Sequence, residues 1–224
     1  MSNSLMNDFT NINTVDYWND RFGSGDWGSK GGFSQTRQFA LAQLSLLGIP
    51  ATTIDRICDF GCGAGDSFPV YRDAWPSADL IGVDFSSSAI ELCRERYGNI
   101  ASFICGDVNA VPVVDTIICS NVLEHLDDDI SIVARLLPKC HSLKIVVPYN
   151  EYPLTEEHVR SYREDHFECF DVTRVTVFDS SGWTEESVRD RLSIVTENAK
   201  RLLTGRRLRT KRRQILFDVS GGRP

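Results

Sequence analysis

Five short apolar runs with almost no polar alternation limit what this chain can fold into: residues 56–60, 80–84, 101–105, 116–119 and 143–147. A strand with one wet face alternates polar and apolar side chains, whereas unbroken runs rich in Ile, Val and Phe belong to strands covered on both faces. Helix-like stretches separate the runs. That rhythm predicts an α/β fold, a doubly wound and mostly parallel sheet with helices on both faces. Two later runs, 174–178 and 214–219, bring the expected strand count to seven.

The intervening helices carry end signals. Ser88 and Glu91 have capping-box spacing ahead of Ile90, Leu92 and Cys93. Thr184 followed by Glu185 and Glu186 reads as an N-cap with acids in the first turn. Behind it, Val188, Leu192, Val195, Ala199 and Leu202 fall on one helical stripe, so this helix is expected to lie against the sheet and to end near Gly205. A chain of 224 residues, 42% apolar and 25% charged, is long enough for one domain with a sizeable core and unlike a disordered or collagenous chain. No stretch reaches the ~20 apolar residues of a membrane span. The first basic residue is Arg21, so the start lacks the charge pattern of a signal or transit peptide, and a cytoplasmic protein is expected. Seven cysteines, three of them (Cys58, Cys105, Cys119) inside apolar runs, suggest buried thiols rather than disulfides.

The segment with most chemical content is Asp59-Phe60-Gly61-Cys62-Gly63-Ala64-Gly65-Asp66, a strand running into a glycine-rich turn. Glycines let the backbone take positive φ and let a ligand approach where a Cβ would collide. In a doubly wound sheet, the turn at the carboxyl end of the first strand is where a nucleotide-like ligand sits. Nineteen residues beyond Gly65, the second strand ends in Asp84, placed to accept hydrogen bonds from ribose hydroxyls. The third ends in Gly106-Asp107-Val108, where a carboxylate can receive an exocyclic amine. A dinucleotide fingerprint would have glycine where Asp66 stands, and a carboxylate there is expected to repel a pyrophosphate. The ligand expected is a nucleoside without phosphates.

Together, Asp59 to Gly65, Ile81 to Phe85, Cys105 to Val108 and Thr116 to Leu126 resemble the class I S-adenosylmethionine-dependent methyltransferases, over a span from about Tyr17 to Pro148. The resemblance implies a Rossmann-like methyltransferase fold and S-adenosylmethionine as cofactor, with S-adenosylhomocysteine as product. It implies that Asp59, Gly61, Cys62 and Gly63 line the methionine part and that Asp84, followed by Phe85, binds the ribose. Asp107 and Val108 would hold the adenine, with Asn121 and Val122 closing the far side. Upstream, Tyr17-Trp18-Asn19-Asp20-Arg21-Phe22 and the Gly/Ser/Trp loop after it look like the amino-terminal lid of small-molecule methyltransferases. Trp18 would cover the sulfonium and Arg21 would pair with the methionine carboxylate. Trp18 and Phe22 also read as the apolar stripe of an amphipathic helix. The chain is thus expected to divide into a lid and cofactor-covering loop over residues 1–35 and a methyltransferase core over 36–224.

Methyl transfer needs acceptor and sulfonium held in line, and a base only where the acceptor must lose a proton. Acceptor-side candidates follow the fourth and fifth strands: Glu124 and His125, then His158 and His166 in a substrate-side segment of about 149–170. His158 is the first choice as base or acceptor-positioning residue, with His125 second. Glu124, His125 and a later histidine also resemble part of the metal set of small-RNA terminal 2′-O-methyltransferases. Asn121 stands where that family has a glutamate, which weakens a hard-cation site, and no metal is assigned.

The net charge of −7 is uneven. Residues 200–213 hold eight basic side chains and no acid, while the remainder has 16 basic against 31 acidic residues, a net −15. The basic segment is expected as an insertion between the last helix and the last strand, at the sheet edge. The reading is a methyltransferase acting on oxygen or nitrogen of a small molecule or glycan intermediate. The alternative is an RNA methyltransferase, metal-assisted at a 2′-oxygen, or a protein methyltransferase, using residues 200–213 as contact.

Overall fold

The computed structural model describes residues 12–180, 188–208 and 212–222. Its strands are β1 (Arg56–Phe60), β2 (Asp79–Asp84), β3 (Ser102–Cys105), β4 (Thr116–Ser120), β5 (Ser142–Tyr149), β6 (Val172–Asp179) and β7 (Arg213–Ser220). They form one sheet in the order β3-β2-β1-β4-β5-β7-β6. The first five pair in parallel, while β7 runs antiparallel between β5 and β6. Chain order reverses on either side of β1, which places the switch point of the sheet, and the crevice that goes with it, at the carboxyl ends of β1 and β4.

Both sheet faces are covered, as the unalternating runs require. Cys58, Ile81, Val83, Ile117, Cys119, Ile145, Val147 and Phe217 belong to one buried cluster. Their neighbours Ile57, Leu80, Ile118, Val146 and Leu216 belong to another. Each such side chain contributes roughly 1.5–3 kcal/mol by leaving water. The helices are α1 (Val15–Gly23), α2 (Asp26–Ser29), α3 (Gly32–Gln43), α4 (Phe68–Ala74), α5 (Ser87–Tyr97), α6 (Asp129–Leu136) and α7 (Val188–Leu203). Thr14 caps α1 by accepting from the Tyr17 amide at 3.2 Å.

Three expectations change. α5 is capped by Ser86, whose hydroxyl accepts from the Ala89 amide at 3.2 Å, so the Ser88–Glu91 pair lies inside the helix and makes no capping box. α7 ends before Gly205, which takes φ +64°, but Val195 and Leu202 on its stripe are 64% and 71% exposed. The described part of the stripe therefore does not lie on the sheet: periodicity fixes which face is apolar and leaves its partner open. The basic stretch leads into β7, which lies inside the sheet with β6 as the edge strand. The Thr184 cap and its acids fall outside the described residues.

Candidate functional site

The glycine turn after β1 is a tight backbone cradle. Gly61, Gly63 and Gly65 have φ of +75°, +52° and +80°. A Cβ on Gly61 would come within 2.3 Å of Val122 Cγ2, so the turn after β4 closes directly onto it. Asp84 braces the cradle from β2: Oδ2 accepts from the Gly63 amide at 2.9 Å and Oδ1 from the Ser86 amide at 2.8 Å. Asp59, buried at the end of β1, accepts from Ser67 Oγ at 2.7 Å. Burial pushes the Asp59 carboxyl up to about 7, with the Ser67 hydrogen bond opposing and the Asp84 charge adding. Burial also raises Asp84, against its two amide donors.

A cavity of about 360 Å³ opens over this cradle, within the range that holds a drug-sized ligand. Trp18, Arg21, Asp59, Gly61, Cys62, Gly63, Asp84, Phe85, Asp107, Val108, Asn121, Val122, His125 and His158 all line it, whereas the candidate His166 does not. The backbone cradle and the three strand-end carboxylates fit a nucleoside that carries an amino-acid chain. Asp66 is different: it is buried, hydrogen-bonded by Arg96 at 2.7 and 3.1 Å and by Tyr97 at 2.8 Å, and is not among the lining residues. Its charge is held by Arg96, so it is not what would repel a pyrophosphate.

α1 supplies the roof. Trp18 is both packed and lining: it stacks on Phe22 with centroids 5.9 Å apart and meets His125 edge-on at 5.3 Å. Arg21 pairs with Asp26 and, at 3.0 Å, with Glu157, and its buried Nε has no hydrogen-bond partner among the described residues. Glu157 lies in the expected substrate-side segment, and it is the hub joining roof and acceptor side. Its Oε1 accepts from Tyr17 Oη at 2.5 Å, and its carbonyl accepts from Asn13 Nδ2 at 2.8 Å and His125 Nδ1 at 3.0 Å.

Those contacts sort the histidines. A carbonyl can only accept, so His125 Nδ1 carries hydrogen and the lone pair of the neutral ring is on Nε2. Burial, reinforced by His158, pulls His125 down to about 3, so it stays neutral. His158 Nδ1 meets Glu151 Oε2 at 2.5 Å, both side chains being nearly buried. Burial opposes its charge, but Glu151 and the nearby Glu124 outweigh that and raise its pKa. Glu124 is fully buried with neither oxygen hydrogen-bonded among the described residues, and burial pushes it up to about 7. His166 is occupied elsewhere, with Nε2 at 2.7 Å from the buried Asp129. Glu124, His125 and His158 offer ligand atoms within 4.8 Å of one another, an arrangement that could hold a divalent ion. Asn121 is turned to Ser120 and Gln214, at 3.1 and 2.8 Å.

The sequence profile of the methyltransferase domain family matches residues 57–141. Trans-aconitate 2-methyltransferase of Afipia carboxidovorans is 32% identical over 108 residues, 46% of this chain and 42% of that protein. The enzyme of the same name from Escherichia coli K12 is 27% identical over 108 residues, with 47% and 42% covered. The chain thus spans less than half the length of these curated relatives. Among solved structures, the plantazolicin methyltransferase BpumL in complex with a pentazolic desmethylPZN analog and SAH aligns with TM-score 0.55 and 17% identity over 92% of this chain and 94% of that one. Phosphoethanolamine N-methyltransferase 2 of Haemonchus contortus, in complex with S-adenosyl-L-methionine, aligns with TM-score 0.60 and 13% identity over 91% and 60%. Residues 57–141 thus resemble a methyltransferase domain, and the fold is the Rossmann-like one of these methyltransferase structures.

Proposed function

We propose that this chain transfers the methyl group of S-adenosylmethionine to an oxygen or nitrogen of a small molecule or glycan intermediate. The observation that carries the reading is that the glycine cradle, Asp59, Asp84, Asp107 and the acceptor-side His158 line one cavity. The relatives named for trans-aconitate support an acceptor of small-molecule size.

In this reading the bound cofactor supplies an electrophilic methyl on a sulfonium, and the chain holds and orients. Asp59 and the Gly61–Gly63 backbone, with Cys62 between, receive the methionine end; Asp84 and Phe85 receive the ribose; Asp107, Val108, Asn121 and Val122 enclose the base. Residues 1–35 act as the lid, with Trp18 over the sulfonium and Arg21 Nε toward the carboxylate. His158, held by Glu151, accepts the proton that the acceptor gives up as its bond to the methyl carbon forms and the sulfur–carbon bond breaks; His125, neutral beside it, positions the acceptor. Calorimetry with S-adenosylmethionine tests the cofactor half, and loss of binding in Asp84→Ala is the expected result. Substitution of His158 by Ala should lower turnover with cofactor affinity unchanged; full turnover would remove the role.

The three-residue group at Glu124, His125 and His158 favours a second reading, metal-assisted transfer to a ribose hydroxyl of RNA. Turnover that survives a chelator excludes it.

A further inference from the structure

α7 is amphipathic the wrong way round for a helix that packs on its own domain. Its Glu197–Arg201 pair, at 2.8 Å, is on the side that faces the substrate-side segment: the Arg201 guanidinium stands 5.9 Å from the centre of the Tyr152 ring and donates from Nη1 to the Arg207 carbonyl at 3.2 Å. Val195, Ala199 and Leu202 recur at steps of four and three, roughly half a turn away from that pair, and Leu203 adjoins them. Val195, Leu202 and Leu203 are 64%, 71% and 88% exposed. An ordinary surface helix turns its apolar stripe inward and its charges to water. The last turns of α7 do the reverse, and the stripe is left to solvent.

The rim of the stripe is cationic. Lys200, next to Ala199, is exposed, as are Arg206 and Arg207 just after the helix, and Leu208 beside them is 44% exposed. Between residues 198 and 217 the chain has eight basic residues and no acid. Leucines alone would suit any apolar partner, and cations alone any polyanion, so the combination selects the occupant. A nucleic acid gains nothing from exposed Leu202 and Leu203. A second copy docked through the same face would set one basic segment against the other. A bilayer with anionic headgroups takes both features, since leucine enters the acyl boundary while lysine and arginine stay at headgroup level. The net −15 outside residues 200–213 is repelled by such a surface, which fixes the side of the molecule that faces it.

We propose that the end of α7 and the residues just after it form a docking surface for an anionic lipid bilayer, with Leu202 and Leu203 entering it and Lys200 and Arg206 held by its headgroups. Arg207 donates from Nη2 to Asn150 Oδ1 at 3.1 Å, so docking brings the substrate-side segment next to the membrane. Val195, Lys200, Leu202, Leu203 and Arg206 do not line the cavity, and the docking stands or falls separately from the methyl-transfer reading.

The test is co-sedimentation of the full chain with vesicles of phosphatidylcholine alone and with vesicles of equal parts phosphatidylcholine and phosphatidylglycerol. Binding to the mixed vesicles and far less to the neutral ones is expected. Leu202→Ser/Leu203→Ser should weaken it at least about tenfold, through lost apolar insertion. Lys200→Gln/Arg206→Gln should weaken it roughly twenty-five-fold, about fivefold for each cation near an anionic surface. The melting temperature and the affinity for S-adenosylmethionine should stay unchanged in both variants, because the four side chains are exposed and lie outside the cavity. No binding to the mixed vesicles, equal binding to the neutral ones, or undiminished binding by either variant overturns the proposal. So does a dimer that the leucine variant dissolves in analytical ultracentrifugation, or retention of single-stranded RNA, where vesicle binding is absent.

Discussion

Asp59 holds a carboxyl group that is only 6% exposed, and burial favours its protonated form. Its pKa of about 7 in the folded chain, against about 4 when unfolded, sets the sign of two effects. The unfolded chain loses this proton first as pH rises, so Asp59 withdraws stability between about pH 4 and 7. A cationic ammonium beside it would favour the ionised form. S-adenosylmethionine binding at pH 6.5 should therefore release a proton, seen as a dependence of calorimetric heat on the buffer's ionisation enthalpy, and Asp59→Asn should remove that dependence. Gly61 gives a second prediction at this scale. Alanine there meets both a positive φ and the Val122 side chain at 2.3 Å, and should cost about 2 kcal/mol or more. Denaturant melts of Gly61→Ala and of Gly61→Ala/Val122→Ala should show the second change recovering part of the loss, the share due to collision.

Among the elements, α1 and the substrate-side segment are joined through Glu157, which binds Tyr17, Arg21, Asn13 and His125 with side chain or backbone. Glu157→Ala removes the carboxylate contacts and leaves those of the carbonyl. Hydrogen exchange over residues 15–29 should then accelerate while the amides of β1 and β4 keep their protection. This junction shows where sequence reading stops. The glycine turn and the strand-end acids were legible because each lies within a few residues of the strand that positions it. Tyr17 and Glu157 are 140 positions apart, and nothing in either neighbourhood selects the other. The same limit explains Glu151, whose pairing with His158 depends on how residues 151–158 fold back. It also explains α7, whose apolar stripe was legible and whose exposure was not. Leu203, 88% exposed at the end of α7, should tolerate Leu203→Glu within about 0.5 kcal/mol by thermal melt.

For the molecule as a whole, the sheet is parallel through β5, and an antiparallel pair, β7 and β6, completes it. Lys144 on β5 binds Asp218 on β7 at 2.6 Å, with side chains 10% and 17% exposed, and Ser142 adds a bond to the same oxygen at 3.1 Å. Breaking such a pair leaves a buried cation unmatched, so Asp218→Ala should cost about 3 kcal/mol in a urea melt. Seven strands were expected from apolar runs alone, and seven form the sheet among the described residues. The reversed insertion of β7 was not readable, because a run covered on both faces has the same composition whichever way it points. What the local pattern does fix is that both faces need cover, and the two buried clusters supply it.

Glu157 has a consequence for the order of events in turnover. It ties the roof over the cofactor site to the segment that carries His158, so moving either one alone breaks the Tyr17 and Arg21 contacts to Glu157. On the proposed reaction, the two ligands share one door: cofactor must enter before the door shuts on the acceptor, and one opening lets both products go. Steady-state patterns should then be sequential, and loosening Glu157 should quicken product escape at the expense of commitment to the chemical step.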